Sequence, residues 1–416
     1  MVTALHAQRI SNSPYTRFGL GEILQQGNGR SMAMSYAGIA DRNPWFINHQ
    51  NPAANTAFFN QSFLFEVGTD FLYQNLKSKT NEQKNYASGF KYLSAGFSAQ
   101  KWWSIVFGLS PYSTVGYTVV DSFSVINDEG TSRYSQAFVG EGGLNKVYLG
   151  NSFSLHKNFS VGLNASYLFG STDRNQSLYT VDNDSYLALS YKNRYIYSGF
   201  LFSAGLQYTD TIKSRKNPSQ NLLQYGIGFI ADNESKINLK NTLFIQRNVS
   251  LYGNAGVSDT IANDTLIKSS VKIPLRFGVG ISLVVLDKLT LNLDYMVQDW
   301  SNFSIPGQVG TFMQNKYYAA GFEFVNDKYS TRYFKTINYR LGGFYSNTSL
   351  VLNNQQINDY GVSLGIGFPL RSFIINLSAL AGSKGTTDFG LFNETYTQFH
   401  VNIVIHDIWF VKRKFQ

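Results

Sequence analysis

The feature that most constrains this chain is an alternation of apolar with small or polar residues that recurs along its length. Ile273, Leu275, Phe277, Val279, Ile281, Leu283 and Val285 are apolar at every second position, with Pro274, Arg276, Gly278, Gly280 and Ser282 between them. Successive side chains of a strand point to opposite faces, so such a segment has one greasy face and one small or polar face. After a tight turn at Asp287-Lys288 the pattern resumes in Leu289, Leu291, Leu293, Tyr295 and Val297 against Asn292 and Asp294, which predicts a hairpin. The same grammar recurs in Phe63–Tyr73, Trp103–Leu109, Phe159–Phe169, Tyr360–Phe368 and Phe373–Ala381. Weaker versions lie near 86–100, 133–156, 184–209, 221–246, 314–327, 335–350 and 393–411. With the stronger segments near 61–76, 102–123, 158–180, 268–286, 288–300, 358–370 and 371–384, fourteen strands are expected.

A soluble sandwich alternates too, and three features favour a transmembrane barrel. Connections near 101, 157, 287, 327 and 371 are mostly short, whereas those near 77–85, 124–132, 247–267, 301–313 and 385–392 are longer and polar. Outer-membrane barrels combine short periplasmic turns with long external loops. Many expected strands exceed the 5–6 residues usual in globular sheets. Glu66, Asp70, Arg276 and Asp294 fall on the polar face, where a wet lumen suits them. No run of 18 uncharged apolar residues exists, the longest tight one being Ile281–Leu286, so a transmembrane helix is excluded while a barrel is not. The expected fold is all-β, a 14-stranded antiparallel barrel over residues 61–416, integral to the outer membrane, with both termini periplasmic.

Residues 1–8 read as the tail of a secretory signal peptide, with Ala7 at a cleavage position. Residues 9–60 do not alternate and are rich in Gly, Asn and Ser. Trp45, Phe46, Phe58 and Phe59 would be expensive to leave solvated, so this segment is expected to fold back into the lumen as a plug.

At this point the chain resembles a known family. Gly27-Asn28-Gly29-Arg30-Ser31-Met32-Ala33-Met34-Ser35-Tyr36-Ala37-Gly38-Ile39-Ala40-Asp41, followed by Asn51-Pro52-Ala53, is similar to the N-terminal hatch of the FadL/toluene-transport outer-membrane proteins. Ile273–Gly280, Asp294-Tyr295 and Asp299-Trp300-Ser301 resemble a strand and a closing motif of that family, and the composition and Lys412-Arg413-Lys414 ending resemble its Bacteroidota members. The resemblance implies a hatch carrying Gly29, Arg30, Asn51, Pro52 and Ala53. It also implies a kinked third strand that opens sideways into the bilayer, here at Gly108, Ser110, Pro111 and Gly116. Proline deletes a ladder hydrogen bond and glycine lets a strand bend, but a simple bulge near the rim would read the same way.

The implied activity is passive uptake of a hydrophobic small molecule, a long-chain fatty acid or aromatic hydrocarbon, leaving the lumen sideways beneath the lipopolysaccharide layer. Outer-membrane lipid and lipopolysaccharide are its surroundings. Arg276, Lys272, Arg194 and Lys192 are the cations available for a carboxylate head group, if they do not instead sit in loops or balance lumen carboxylates. The alternative is a non-transporting accessory subunit of a larger outer-membrane secretion or assembly complex. The 247–267 loop, with Tyr252, Asn254 and Asp259, could serve either role.

Catalysis has little support. The chain has no Cys, which removes thiolate chemistry, disulfides and Cys-ligated metals. His400 and His406, six apart on one strand, would lie roughly 20 Å apart, too far to share a metal. Gly140-Glu141-Gly142-Gly143 lies where a strand is expected to begin and not between strand and helix, which argues against a phosphate cradle. No cofactor or metal is expected. The net charge of +9 invites a nucleic-acid reading. The clusters Lys213-Ser214-Arg215-Lys216 and Lys412–Lys414 fall at expected periplasmic strand ends, however, where basic residues flank a membrane.

Overall fold

The computed structural model describes residues 11–127, 130–180, 187–216, 220–251, 255–306, 308 and 310–409. The expected signal-peptide tail and the Lys412–Lys414 cluster lie outside the described residues. The barrel strands are β1 Ser62–Lys77, β2 Glu82–Gln100, β3 Trp103–Asn127, β4 Gly130–His156, β5 Phe159–Thr180 and β6 Leu187–Lys213. β7 is Asn221–Asp232 continued by Ser235–Leu251, and β8 is Ala255–Ile273 continued by Arg276–Val285. There follow β9 Leu289–Asp299, β10 Gln314–Val325, β11 Asn338–Leu352, β12 Gln355–Pro369, β13 Phe373–Gly385 and β14 Asn393–Ile408. Each pairs antiparallel with its neighbours, and β14 closes on β1 from Asn393↔Lys77 to Ile408↔Ser62. The result is a closed barrel of fourteen strands. Its first strand begins and its last strand ends at the same rim, where Ser62 and Ile408 are partners. That rim also carries the turns at 101–102, 157–158, 286–288 and 370–372.

Alternation sorts the wall as a membrane requires. On β12, Tyr360, Val362 and Leu364 are more than half exposed, while Ser363 between them is fully buried. Outward Leu163, Phe229 and Phe277 behave likewise. Apolar side chains outside and polar ones inside are the mark of a transmembrane barrel. Leu364→Arg, near the middle of that band, is therefore expected to cost about 2–4 kcal/mol in vesicle-embedded protein, read by urea unfolding. Ile261→Lys, on the outer part of β8, should cost nearly nothing. Equal costs would show that the band does not contact hydrocarbon.

The barrel is lopsided. β9–β14 run from 11 to 16 residues, whereas β3, β4 and β6 run 25, 27 and 27. A membrane needs only ~9–11 residues per strand. β3–β8 therefore rise past the other half as a wall on the side away from the short turns. Two expectations change accordingly. The 247–267 stretch is not a loop but the upper part of the β7–β8 hairpin, with Ser250↔Gly256 and Arg247↔Asp259 paired, while Tyr252 and Asn254 lie outside the described residues. Gly140–Gly143 lies in the middle of β4, not at its start. The run Ile273–Val285 is not one uninterrupted strand either. It breaks at Pro274-Leu275, so Ile273 faces inward while Leu275 and Phe277 face out.

Candidate functional site

Residues 11–60 pack against inward-facing groups from strands all round the ring. The segment has little regular structure: one helical turn, Gly29–Met32, one six-residue 3-10 stretch, Pro52–Ala57, and a shorter one, Pro14–Arg17. Asn28 caps the helical turn, its side chain accepting from the Ser31 amide at 2.8 Å while Ser31 Oγ accepts from the Asn28 amide at 3.0 Å. This reciprocal cap holds a four-residue turn that would not form alone. It aims Arg30 at the wall, where Nε and Nη2 each donate to Glu323 at 2.9 Å and Nη1 pairs with Asp41. Arg340 of β11 donates to the same Glu323 at 2.6 Å and to Asn376 at 2.7 Å. The Phe46 ring lies within 6 Å of both guanidinium carbons, at 5.9 and 5.8 Å. Arg30, Glu323 and Arg340 are nearly fully buried, so the cluster is held by pairing and not by water.

Two further wall carboxylates grip the segment's backbone. Asp294 of β9 accepts from the amides of Gly38 at 2.6 Å and Ile39 at 2.9 Å. Glu66 of β1 accepts from Ile47 at 2.6 Å. Asn51 Oδ1 caps the Pro52 stretch through the Ala53 amide at 3.0 Å, while its Nδ2 donates to the carbonyls of Ile39 at 2.8 Å and Leu206 at 3.2 Å. Ser152 donates to the Pro52 carbonyl at 2.6 Å. His49 bridges the Gly27 carbonyl at 3.2 Å and Ser94 at 3.1 Å, and burial pushes its imidazole down to about 3, so it stays neutral. Of the four aromatics expected inside, Phe46 and Phe58 are buried. Trp45 and Phe59 stay over 40% exposed, packed on each other and on His406 near the short-turn rim.

Close approach is possible because the wall offers paired glycines. Gly162↔Gly205, Gly228↔Gly280 and Gly321↔Gly342 are cross-strand partners facing the segment. A Cβ at Gly205 would sit 2.1 Å from Asn51 Oδ1, one at Gly162 2.4 Å from the Pro52 carbonyl carbon, and one at Gly342 2.4 Å from that of Met34. Gly29 lies equally tight, its Cβ position 2.5 Å from Asn402 Cβ. Thus Gly29, Arg30, Asn51, Pro52 and Ala53, the residues expected to form a hatch, all lie against the wall.

Gly108, Ser110, Pro111 and Gly116, the residues expected at a lateral opening, span a seam in the wall. β2 and β3 pair only from Leu93↔Leu109 to Gln100↔Trp103. Above Leu109, β3 keeps its ladder with β4 and β2 keeps its ladder with β1, so the two part company at Ser110-Pro111. The β3–β4 register slips between Pro111 and Ser113. Opposite the slip, Gly143 and Gly170 take φ of +153° and +156°, where a Cβ would lie 2.3 and 2.2 Å from a neighbouring strand's carbonyl oxygen. The kink therefore crosses three strands. The N-terminal segment occupies the freed β3 edge. Glu22↔Thr114 and Ile23↔Ser113 form a two-residue ladder, the Leu24 amide donates to Tyr112 at 3.0 Å, and the Gly116 amide donates to Thr16 Oγ1 at 3.0 Å. Gln26 donates to the Pro111 carbonyl at 3.2 Å.

The head-group cations do not converge. Arg276 reaches the lumen but pairs with Asp232 at 2.7 Å. Arg194 and Lys272 lie on the outer wall, paired with Asp173 at 3.7 Å and Glu234 at 3.2 Å, and Lys192 is also exposed there. A lumenal cavity of about 200 Å³ has a mixed lining, in which Glu22, Lys91, Asp359, Lys384 and Glu394 stand among apolar and aromatic residues such as Leu24, Leu72, Phe344, Leu350 and Leu380. Lys91 pairs with Asp70 at 3.1 Å, and Lys384 with Glu22 at 2.9 Å. Elsewhere Trp300, Phe303 and Ile305, from the connection after β9, fill the lumen against Leu144, Leu168, Ile237 and Ile273. Glu323 and Arg340 were not singled out in the sequence. Their signal was a lone charge between outward apolar residues, in Phe322-Glu323-Phe324 and Tyr339-Arg340-Leu341.

Similarity to known proteins agrees with this geometry. No curated protein matches the sequence. Among solved structures, the monoaromatic hydrocarbon channel CymD aligns with a TM-score of 0.58 at 13% identity, covering 93% of this chain and 98% of that one. A FadL homologue of Pseudomonas aeruginosa aligns at 0.57 and 12%, covering 94% and 100%. The toluene transporter TbuX of Ralstonia pickettii aligns at 0.54 and 12%, covering 92% and 98%. At these identities the likeness establishes a shared FadL-type barrel fold. The BamG family model matches residues 1–416, the whole sequence, and the chain belongs to the BamG family.

Proposed function

We propose that this barrel is a closed accessory subunit of a larger outer-membrane complex, with residues 11–60 as a permanent plug. The observation that carries the reading is how the segment is held. Three buried wall carboxylates, Glu323, Asp294 and Glu66, bind it. Glycine pairs let its backbone rest on the wall, and its own strand occupies the edge where the wall parts. Family membership leaves a role in a complex open. Short turns at one rim and long strand extensions at the other favour the extended rim outside and both chain ends in the periplasm.

A second reading, uptake of a hydrophobic small molecule with exit through the seam, is favoured by the parting of β2 from β3. Purification from native membranes in mild detergent, with mass spectrometry of proteins and lipids, separates the two. Stoichiometric recovery with larger membrane partners and an unloaded lumen is expected. A lone barrel carrying apolar molecules would overturn the accessory reading in favour of transport.

A further inference from the structure

The outer wall of β6–β8 changes character abruptly along its height. Near the short turns its outward residues are apolar: Phe200, Phe202, Leu206 and Tyr208 on β6, Phe229 on β7, Phe277 on β8. Phe200 to Tyr208 is nine residues, the span one membrane-crossing strand needs (~9–11). At the upper end of this band, where Asn233 bonds to the Phe202 backbone, β7 is interrupted at Asn233-Glu234 and β8 at Pro274-Leu275. Each interruption inverts which positions face out. Above them Ile237, Leu239, Val271 and Ile273 are buried inward, so the alternate positions point outward. Those positions carry Lys236, Lys240, Lys268 and Lys272, all exposed, beside Lys192 and Arg194 of β6.

The register puts like charges face to face. Lys236 is the cross-strand partner of Lys272, and Lys240 of Lys268. Directly opposed like charges destabilise a sheet. The two lysine pairs are roughly 13 Å apart along the strands. Arg194 opposes Thr242 and Lys192 opposes Phe244, so both lie within a few residues of Lys240. Two carboxylates pair with members of the group, Asp173 with Arg194 and Glu234 with Lys272, so among the described side chains six cations and two anions leave four positive charges. By contrast Arg247 and Asp259, higher on the same wall, neutralise each other.

We propose that this patch binds the phosphorylated head group of an outer-leaflet glycolipid. An apolar band with a basic cluster at its upper border is what such a lipid needs, since acyl chains lie against the phenylalanines while phosphates sit between the lysine pairs. Two phosphates suit two pairs, and each relieves a repulsion that the sheet otherwise carries. The assignment rests on the orientation proposed above, with the extended rim outside.

The full-length chain, stripped of lipid in mild detergent, is titrated with diphosphoryl lipid A and followed by native mass spectrometry. The variant K236Q/K240Q/K268Q/K272Q is expected to bind at least tenfold more weakly than the wild type, and K213Q/R215Q/K216Q at the short-turn rim equally well. Dephosphorylated lipid A should bind the wild type as weakly as diphosphoryl lipid A binds the quadruple variant. Heat-modifiable gel mobility checks that each variant is folded. Equal binding by wild type and quadruple variant, equal loss in the rim variant, equal binding of the dephosphorylated lipid, or displacement by millimolar inorganic phosphate would each overturn the proposal. Because the chain has no cysteine, labelling of I261C, exposed higher on the same wall and outside the lysine patch, by an impermeant maleimide on intact cells reports orientation separately. A labelled wall that ignores lipid A sinks the lipid site alone, whereas an unlabelled one sinks the orientation.

Discussion

Glu323→Ala is expected to detach the N-terminal segment from the barrel. Glu323 is the shared acceptor of Arg30 on the segment and Arg340 on the wall, and all three are buried. Removing it leaves Arg340 with Asn376 alone, and Arg30 with only Asp41. Breaking a buried ion pair from one side costs about 3–5 kcal/mol, because the remaining charge is stranded in a medium that solvates it poorly. That cost falls on the attached state, since in the detached state both guanidiniums can reach water. The attached population should drop roughly a hundredfold or more. Two measurements report it: tryptic release of peptides from residues 11–60, and conductance in planar bilayers, both expected to rise. Glu323→Gln, which keeps an acceptor but not the charge, should fall between. Arg30→Met guards against a folding defect in the wall, because it leaves the Glu323–Arg340 pair intact while removing the segment's side of the contact. A Glu323→Ala barrel that stays protease-resistant and silent would show that the cluster merely fills space.

Much of the architecture was legible in the sequence because a barrel wall writes itself at period two. Where one face meets hydrocarbon and the other a lumen, a one-residue slip would invert every side chain, so pattern and register are tightly coupled. Leu289–Val297 and Tyr360–Phe368 illustrate this, each lying within a strand that faces as the pattern predicts. The reading failed where strands leave the membrane. Above the bilayer both faces of a wall meet water, so polar residues are tolerated at every position, and 247–267 resembled a loop although it is largely ladder. It failed again at the interruptions near 233 and 274, where parity flips without a change in composition. That is why Lys272, on the polar face by the pattern, points outward, whereas Arg194 lies on the unbroken β6 in phase with outward Phe200, Phe202 and Leu206. The hatch residues were legible only through family resemblance. Nothing local in Gly27–Asp41 announces that Arg30 will meet Glu323, almost three hundred residues later. Kinks were half legible: Pro111 marked the place, but whether the ladder parts there depends on the β2 edge, which carries no comparable signal.

The glycine pairs make the second large prediction, because they test whether the plug is fitted to the wall or merely enclosed by it. Gly162 and Gly205 are partners on β5 and β6, and both point at the Asn51-Pro52 turn. The double variant Gly162→Ala/Gly205→Ala places methyl groups where the Pro52 carbonyl carbon and Asn51 Oδ1 now lie, at 2.4 and 2.1 Å. Neither strand can retreat without breaking its ladder, so the turn must move. That breaks the Asn51 bonds to Ala53, Ile39 and Leu206 and the Ser152 bond to Pro52. Overpacking of this kind costs about 1–3 kcal/mol per site. Gly343→Ala is the matched control, since among the described residues its Cβ position comes no closer than 3.8 Å, to the Gly361 carbonyl oxygen. All variants should keep the heat-modifiable mobility of a closed barrel, since only the segment is displaced. The double variant alone should expose residues 42–58 to protease and admit current. If it is as tight as the control, the segment sits loosely enough to shift by an ångström or more, and a hatch that moves during transport becomes the better account of the same residues.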